Sequence, residues 1–148
     1  MADQLPPLKL RAWRGFLEAH SWITRELERE LREERGLPLS WYDVLVQLSE
    51  AGGDMRMHRL ASSLLLSRSA TTRFVERLER AGLLLRDGAT DDRRGTVVRL
   101  TAQGRDTLRG AAGVHLRGVK RHFGDIISNE DAEFLVRLMA RLVPATEA

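Results

Sequence analysis

Cysteine is absent from the 148 residues. This excludes disulfides, thiolate metal sites and cysteine-based redox sensing, and by itself leaves the compartment open. Lysine is nearly absent: only Lys9 and Lys120 occur, so arginine carries the positive charge. Arginine's planar fork suits phosphates and guanine edges. Coding composition is the competing explanation of the preference for arginine over lysine, but it does not explain where the charge sits. No run approaches the roughly 18 apolar residues needed to cross a bilayer. The start, Met1-Ala2-Asp3-Gln4, lacks a basic segment followed by an apolar one, so no signal peptide and a cytoplasmic location are expected. Repeats and low-complexity tracts are missing. So are a phosphate-binding glycine loop, a zinc-protease helix motif and a nucleophile elbow, which removes the common enzyme signatures. The four histidines, His20, His58, His115 and His122, contain no His-x-x-x-His pair. His115 and His122 would lie about 10 Å apart along a helix, too far to share one ion at ligand distances of about 2.1 Å. Neither a metal nor a cofactor is expected, and the chain is read as not an enzyme.

What remains is an ordinary soluble composition, 43% hydrophobic and 30% charged. The length suits one compact unit with dimerisation elements. The net charge of +3 is unevenly placed. Residues 52–101 carry ten arginines against six acids, a net of +4, while residues 1–51 are net −2 and residues 102–148 net +1. The excess therefore sits in the middle of the chain, where it forms the kind of electrostatic footprint nucleic acid attracts.

Periodicity predicts the elements. Trp13, Phe16, Leu17, Ile23, Leu27 and Leu31 recur at helical spacing after Pro6-Pro7, and Gly36 and Pro38 end that helix. Ser40 is the expected N-cap of a second helix, with Asp43 completing an approximate capping box, running to about Ala51. Met55-Arg56 suggests a short strand before a third helix, Met57 to Leu65. Ser67 caps a fourth helix to about Ala81, and Gly82 ends it. Leu83 to Arg86 and Thr96 to Leu100 read as two strands around a polar loop. Thr101 caps a fifth helix towards Gly124, with Leu108, Ala112, His115 and Val119 on one stripe, and Asn129 caps a last helix that Pro144 ends.

That order, helix, turn, arginine-rich helix, charged hairpin, describes a winged helix-turn-helix, which puts one helix into a DNA groove. The fold class is mainly α with a small β-hairpin wing: an N-terminal dimerisation helix (1–36), the winged module (37–101) and C-terminal dimerisation helices (102–148), forming one compact unit overall. The end helices carry more apolar surface than one small module covers, so they are expected to pair with a second copy as a two-fold dimer.

On the fourth helix, Ala70, Thr71, Phe74, Val75 and Leu78 fall on one face, while Ser69, Thr72, Arg73, Glu76 and Arg77 fall on the other. Ser67 and Ser69, with Arg68, sit at the N-terminus, where free amides favour a phosphate. Arg73 is placed to reach a base edge. Thr72 is placed for a thymine methyl or a phosphate, and Arg77 for backbone. The competing reading is a solvated surface on which Glu76, Arg77, Glu79 and Arg80 pair with one another. At the hairpin tip, Asp92, Arg93 and Arg94 follow Asp91, and a carboxylate beside an arginine can hold that side chain extended for the minor groove. Trp13, Phe16, His20 and Tyr42 are candidates for an effector pocket near the dimer helices, against the plainer alternative of ordinary packing.

Arg59-Leu60-Ala61, Leu66-Ser67-Arg68-Ser69 with Thr72-Arg73, Arg77-Leu78-Glu79-Arg80-Ala81-Gly82-Leu83, and Asp92-Arg93-Arg94-Gly95 before Val98-Arg99-Leu100-Thr101 together resemble the MarR family of bacterial transcriptional regulators, over nearly the whole chain. The resemblance implies a homodimer that binds a roughly palindromic double-stranded operator, represses transcription, and is released by a small molecule, often an anionic aromatic. It also implies that Asp92 orients and Arg94 enters the minor groove. Two features depart from the pattern. Leu65 stands in the turn where many relatives have glycine, and without cysteine the oxidant-sensing branch is excluded. The alternative function is an architectural DNA-binding or protein-interaction winged helix without sequence preference.

Overall fold

Charge pairs spaced by one helical turn support a first helix, α1, from Pro7 to Arg35. Arg29 bonds Glu33 at 3.0 Å, and Arg32 pairs with Glu28. Gly36, in the left-handed region at φ 63°, ends it and donates to the Arg32 carbonyl. In this computed structural model, residues 4–64, 66–88 and 95–144 are described. Helix α2 spans Leu39–Glu50, β1 Asp54–Arg56, α3 Met57–Leu64, α4 Arg68–Arg80, β2 Leu84–Asp87, β3 Val97–Leu100, α5 Ala102–Val119 and α6 Asn129–Leu142.

Several caps differ from the sequence expectation. Helix α2 is not capped by Ser40. Pro38 occupies the N-cap without a side-chain bond, and the amide of Leu39 instead donates to Glu28 Oε2 at 2.5 Å, a carboxylate from α1. Helix α6 begins one residue after its true cap: Ser128, not Asn129, accepts from the Asp131 amide at 3.0 Å. The Asp131 carboxylate returns the bond to the Ser128 amide at 2.9 Å, closing a capping box. Two caps stand where expected. Ser67 Oγ accepts from the Ala70 amide at 3.1 Å, and Thr101 Oγ1 accepts from Gly104 at 2.9 Å while donating to the Gly82 carbonyl at 2.6 Å. The fifth helix does not stay α-helical to Gly124; Lys120–Gly124 form a π-helical turn.

The wing is a three-stranded antiparallel sheet rather than a bare hairpin, in the order β1-β3-β2. Met55 faces Val98 across one ladder, and Leu84 faces Leu100 across the other.

The chain forms two compact units, one from Met1–Leu27 with Leu116–Ala148, the other from Glu28–His115. The second holds the main hydrophobic core. Leu31, Val44, Leu45, Leu48, Leu60, Val75, Leu78, Leu84 and Val98 are fully buried in it. On α5 the buried apolar side chains are Ala111 and Val114, with Leu108 and Ala112 partly buried beside them, so the buried stripe is turned slightly from the expected one. Gly104 is required where α5 starts: a Cβ there would collide with the Leu83 carbonyl oxygen. No helix among the described residues is long and apolar enough to cross a membrane.

Candidate nucleic-acid interface

The chemistry concentrates on α4. Its inner face follows helical spacing: Thr71, Val75 and Leu78 are fully buried, while Ala70 and Phe74 are partly so. That burial anchors the helix on α3 and β2, and it leaves Arg68, Ser69, Arg73 and Arg77 exposed.

The hydroxyls at the helix start are already partly engaged. Ser67 accepts from Ala70, and its Oγ lies 3.3 Å from that of Ser69. The amides of Arg68 and Ser69 lie in the first turn, whose donors have no partner within the helix and suit a phosphate oxygen. Thr72 donates its hydroxyl to the Arg68 carbonyl at 3.0 Å, so what it has left to offer is a methyl group and an acceptor lone pair.

Arg68 and Arg73 have no side-chain hydrogen bond or ion pair among the described residues. Arg77 leans back over Phe74, its guanidinium carbon 5.9 Å from the ring centroid. This contact lays one side of the guanidinium on the ring, while the residue as a whole stays exposed.

The carboxylates of the same helix do not pair with these arginines. Glu76 and Glu79 turn to Arg86 on β2. Arg86 Nη2 lies 3.1 Å from Glu79 Oε1, Nη1 lies 3.4 Å from Glu76 Oε1, and the Arg86 amide donates to Glu79 Oε2 at 2.9 Å. These bonds, the side-chain one first, hold the Glu79 carboxyl below its usual value, and the same partner raises Arg86. Arg86 was not singled out from the sequence. A glutamate and an arginine seven residues apart, across a helix end and a turn, leave no periodic signal.

On the wing strands, Arg99 lies 3.3 Å from Asp87 and 4.0 Å from Asp54 across the sheet. Asp91, Asp92, Arg93 and Arg94 lie outside the described residues, as does Leu65 of the turn.

The effector candidates separate. Phe16 and His20 line a cleft of about 500 Å³ with Ala19, Ile23, Leu135 and Met139. Trp13 does not line that cleft but stacks on Phe16 at 6.2 Å. Tyr42 belongs to the core of the Glu28–His115 unit, where its ring lies 4.6 Å from that of His115. Burial lowers the His115 pKa, opposed by Asp43, and its Nδ1 is enclosed without a hydrogen-bond partner among the described residues. Among the described residues no cluster of three His, Cys, Asp or Glu side chains could hold a metal ion.

A short helix, a turn, a serine-capped helix with an outward arginine face and an adjoining three-stranded sheet define a winged helix-turn-helix. Residues 37–96 match the profile of the MarR family. The chain is 35% identical to AbsC, a MarR family transcriptional regulator from Streptomyces coelicolor, over 95% of both chains, with a TM-score of 0.85. It is similar, at 29% identity and a TM-score of 0.86, to Sco3205 of the same organism, a MarR family regulator crystallised in complex with DNA; the match covers 96% of this chain and 89% of that one. YkoM of Bacillus subtilis, an HTH-type transcriptional regulator, is 24% identical over 87% of this chain and 82% of its own length. The chain belongs to the MarR family of transcriptional regulators, which are not enzymes.

Proposed function

We propose that this regulator is a cytoplasmic homodimer that binds a palindromic double-stranded operator, represses transcription and is released by a small-molecule effector. The observation that carries the DNA-binding part is the face of α4. Its opposite face is fixed in the core, and its Arg68 and Arg73 guanidinia have no protein partner among the described residues. An arginine free at the exposed face of a recognition helix is the side chain best suited to guanine O6 and N7. Ser67, Ser69 and Thr72 contact phosphate or a thymine methyl, Arg77 contacts backbone, and the Asp92–Arg94 tip, with Arg93, serves the minor groove.

Dimerisation is supported by large apolar side chains left half or more exposed in the unit of the two chain ends, among them Trp13, Phe134, Ile126 and Val136. Such exposure on a regulator marks a surface that another protein chain covers. In the dimer the two α4 helices stand about 34–36 Å apart and enter successive major grooves. The effector is a small, anionic aromatic that uses the apolar cleft containing Phe16 and His20, with Trp13 supporting Phe16 from outside the cleft. It acts through its different affinity for the DNA-competent and incompetent spacings.

Selection of bound fragments from random duplex DNA at near-physiological salt tests this reading. A palindromic consensus with half-sites one turn apart is expected. Binding without any consensus would replace it with the architectural alternative, which phosphate contacts alone would satisfy.

A further inference from the structure

Resting on the DNA-binding reading above, a second question concerns the acids of the recognition helix. Glu76 lies one turn beyond Arg73 and Thr72 on the outward side of α4, and Glu79 follows it. Carboxylates in that position would face the phosphates that the arginines are meant to attract. The structure gives both of them the same partner. The Arg86 guanidinium spans Glu76 Oε1 and both oxygens of Glu79, at 3.4 Å to Glu76 and at 3.1 and 3.4 Å to Glu79. Its main-chain amide adds a fourth bond, the third to Glu79, at 2.9 Å. Each of these three side chains keeps only about a third of its surface exposed, 32% for Arg86, 37% for Glu76 and 30% for Glu79. The pairs Arg99–Asp87, Lys120–Asp125 and Arg109–Asp106 are half or more exposed. A fork held from both side chain and main chain is geometrically specified in a way that single surface pairs are not. Its residue also belongs to the strand that leads into the wing.

We propose that Arg86 is a positioning residue for DNA recognition: it occupies the Glu76 and Glu79 carboxylates, screening them from the DNA phosphates, and holds β2 against α4, without touching DNA itself. Arg86 thereby offsets one of the two negative charges beside Arg68, Arg73 and Arg77 and ties both carboxylates in fixed positions. Without it, both carboxylates stand free beside the three arginines. The lowered Glu79 and raised Arg86 pKa values accord with this coupling.

The test compares duplex affinities of the full chain as wild type, as Arg86→Met, as Arg86→Met with Glu76→Gln and Glu79→Gln, and as the two glutamine substitutions alone. Methionine keeps the apolar stem of the arginine while removing its charge. Arg86→Met is expected to weaken binding about tenfold, on operator and random duplex alike, because two exposed carboxylates then repel phosphate regardless of sequence. Adding both glutamines is expected to restore affinity to within about twofold of wild type. A direct phosphate contact or a purely structural tie would not be rescued by removing the acids, so a triple variant as weak as Arg86→Met overturns the proposal. Wild-type affinity in Arg86→Met also overturns it. Should Arg86→Met fail to fold, the double glutamine variant decides: binding at least as tight as wild type supports the proposal, and weaker binding overturns it by making the acids DNA contacts. If the unsubstituted protein binds no duplex, the DNA-binding reading itself fails and takes this inference with it, whereas wild-type binding with an unaltered Arg86→Met removes this inference alone.

Discussion

Replacing Arg73 by alanine is expected to separate recognition from stability. The side chain is exposed and has no side-chain partner among the described residues. The helix beneath it is anchored by Thr71, Val75 and Leu78, all fully buried. Truncation therefore leaves no cavity and orphans no partner, and alanine is at least as good a helix former. Folding stability is expected to change by less than about 0.5 kcal/mol. Binding is a different matter. A bidentate arginine on guanine is worth about 1–3 kcal/mol of discrimination, which makes operator affinity about 5- to 150-fold weaker. Because that contact is to a base edge, affinity for random duplex changes little and the salt dependence keeps its slope. Arg68 at the helix start provides the contrast: as a phosphate contact, its loss weakens all sequences alike and flattens the slope by about 0.9. Fluorescence anisotropy with a labelled operator and a scrambled duplex, repeated at several salt concentrations, reads both quantities. A thermal melt accompanies it. Unchanged operator affinity in Arg73→Ala would refute the assignment. Equal losses on both duplexes with a flatter slope would move Arg73 from base to phosphate.

Gly104→Ala is expected to cost about 1–3 kcal/mol as an overpacked contact, because its new Cβ meets the Leu83 carbonyl oxygen, which is main chain and cannot swing aside; a melting midpoint equal to wild type would contradict this. The Asp131 carboxyl is held below its ordinary value by bonds from the Ser128 amide and hydroxyl. A depressed folded pKa stabilises the protein above the unfolded pKa of 3.8 and loses that contribution as pH falls through the lower folded value. Acid unfolding followed by circular dichroism is thus expected to steepen below about pH 4 in wild type and to flatten in Asp131→Asn; identical acid profiles would show that the box does not couple to folding. Phe134→Lys, at a side chain 54% exposed in the unit of the chain ends, is expected to give monomers by light scattering at micromolar concentration, and with them weaker operator binding. Retention of the dimer would move the interface off that face of α6.

The parts of this fold that were legible in the sequence are those whose determinants lie within one or two helical turns. Ser67 caps α4 through an amide three residues on, Thr101 does the same for α5, and Gly82 takes the left-handed conformation at φ 79° that ends α4. The alternation in Val97–Leu100 is likewise local, and it places Val98 and Leu100 in the core. Where reading failed, the deciding group came from elsewhere. Ser40 looked like a cap, but the helix starts a residue before it, at Leu39, whose amide is satisfied by Glu28 of α1, eleven residues earlier in the chain. Asn129 and Ser128 are both good caps, and the choice fell to the residue whose third neighbour is Asp131, a one-residue distinction that composition does not make.

The charges of α4 show why such distant partners matter for function and not only for boundaries. Along the sequence, Arg73, Glu76, Arg77, Glu79 and Arg80 are spaced so that each acid has a base within one turn, and the simplest deduction is a self-neutralised surface. Exposed pairs of that kind are worth so little that any better-placed donor displaces them. β2 supplies one, since it runs beside the helix and brings a guanidinium and a main-chain amide to the same carboxylate. Once Glu76 and Glu79 are taken, Arg73 and Arg77 no longer have a carboxylate on their own helix, and a segment of three arginines and two glutamates becomes more strongly cationic. On the proposed reading, recognition charge is therefore a tertiary property: the helix supplies the arginines, and the neighbouring strand supplies the partner that occupies the acids beside them.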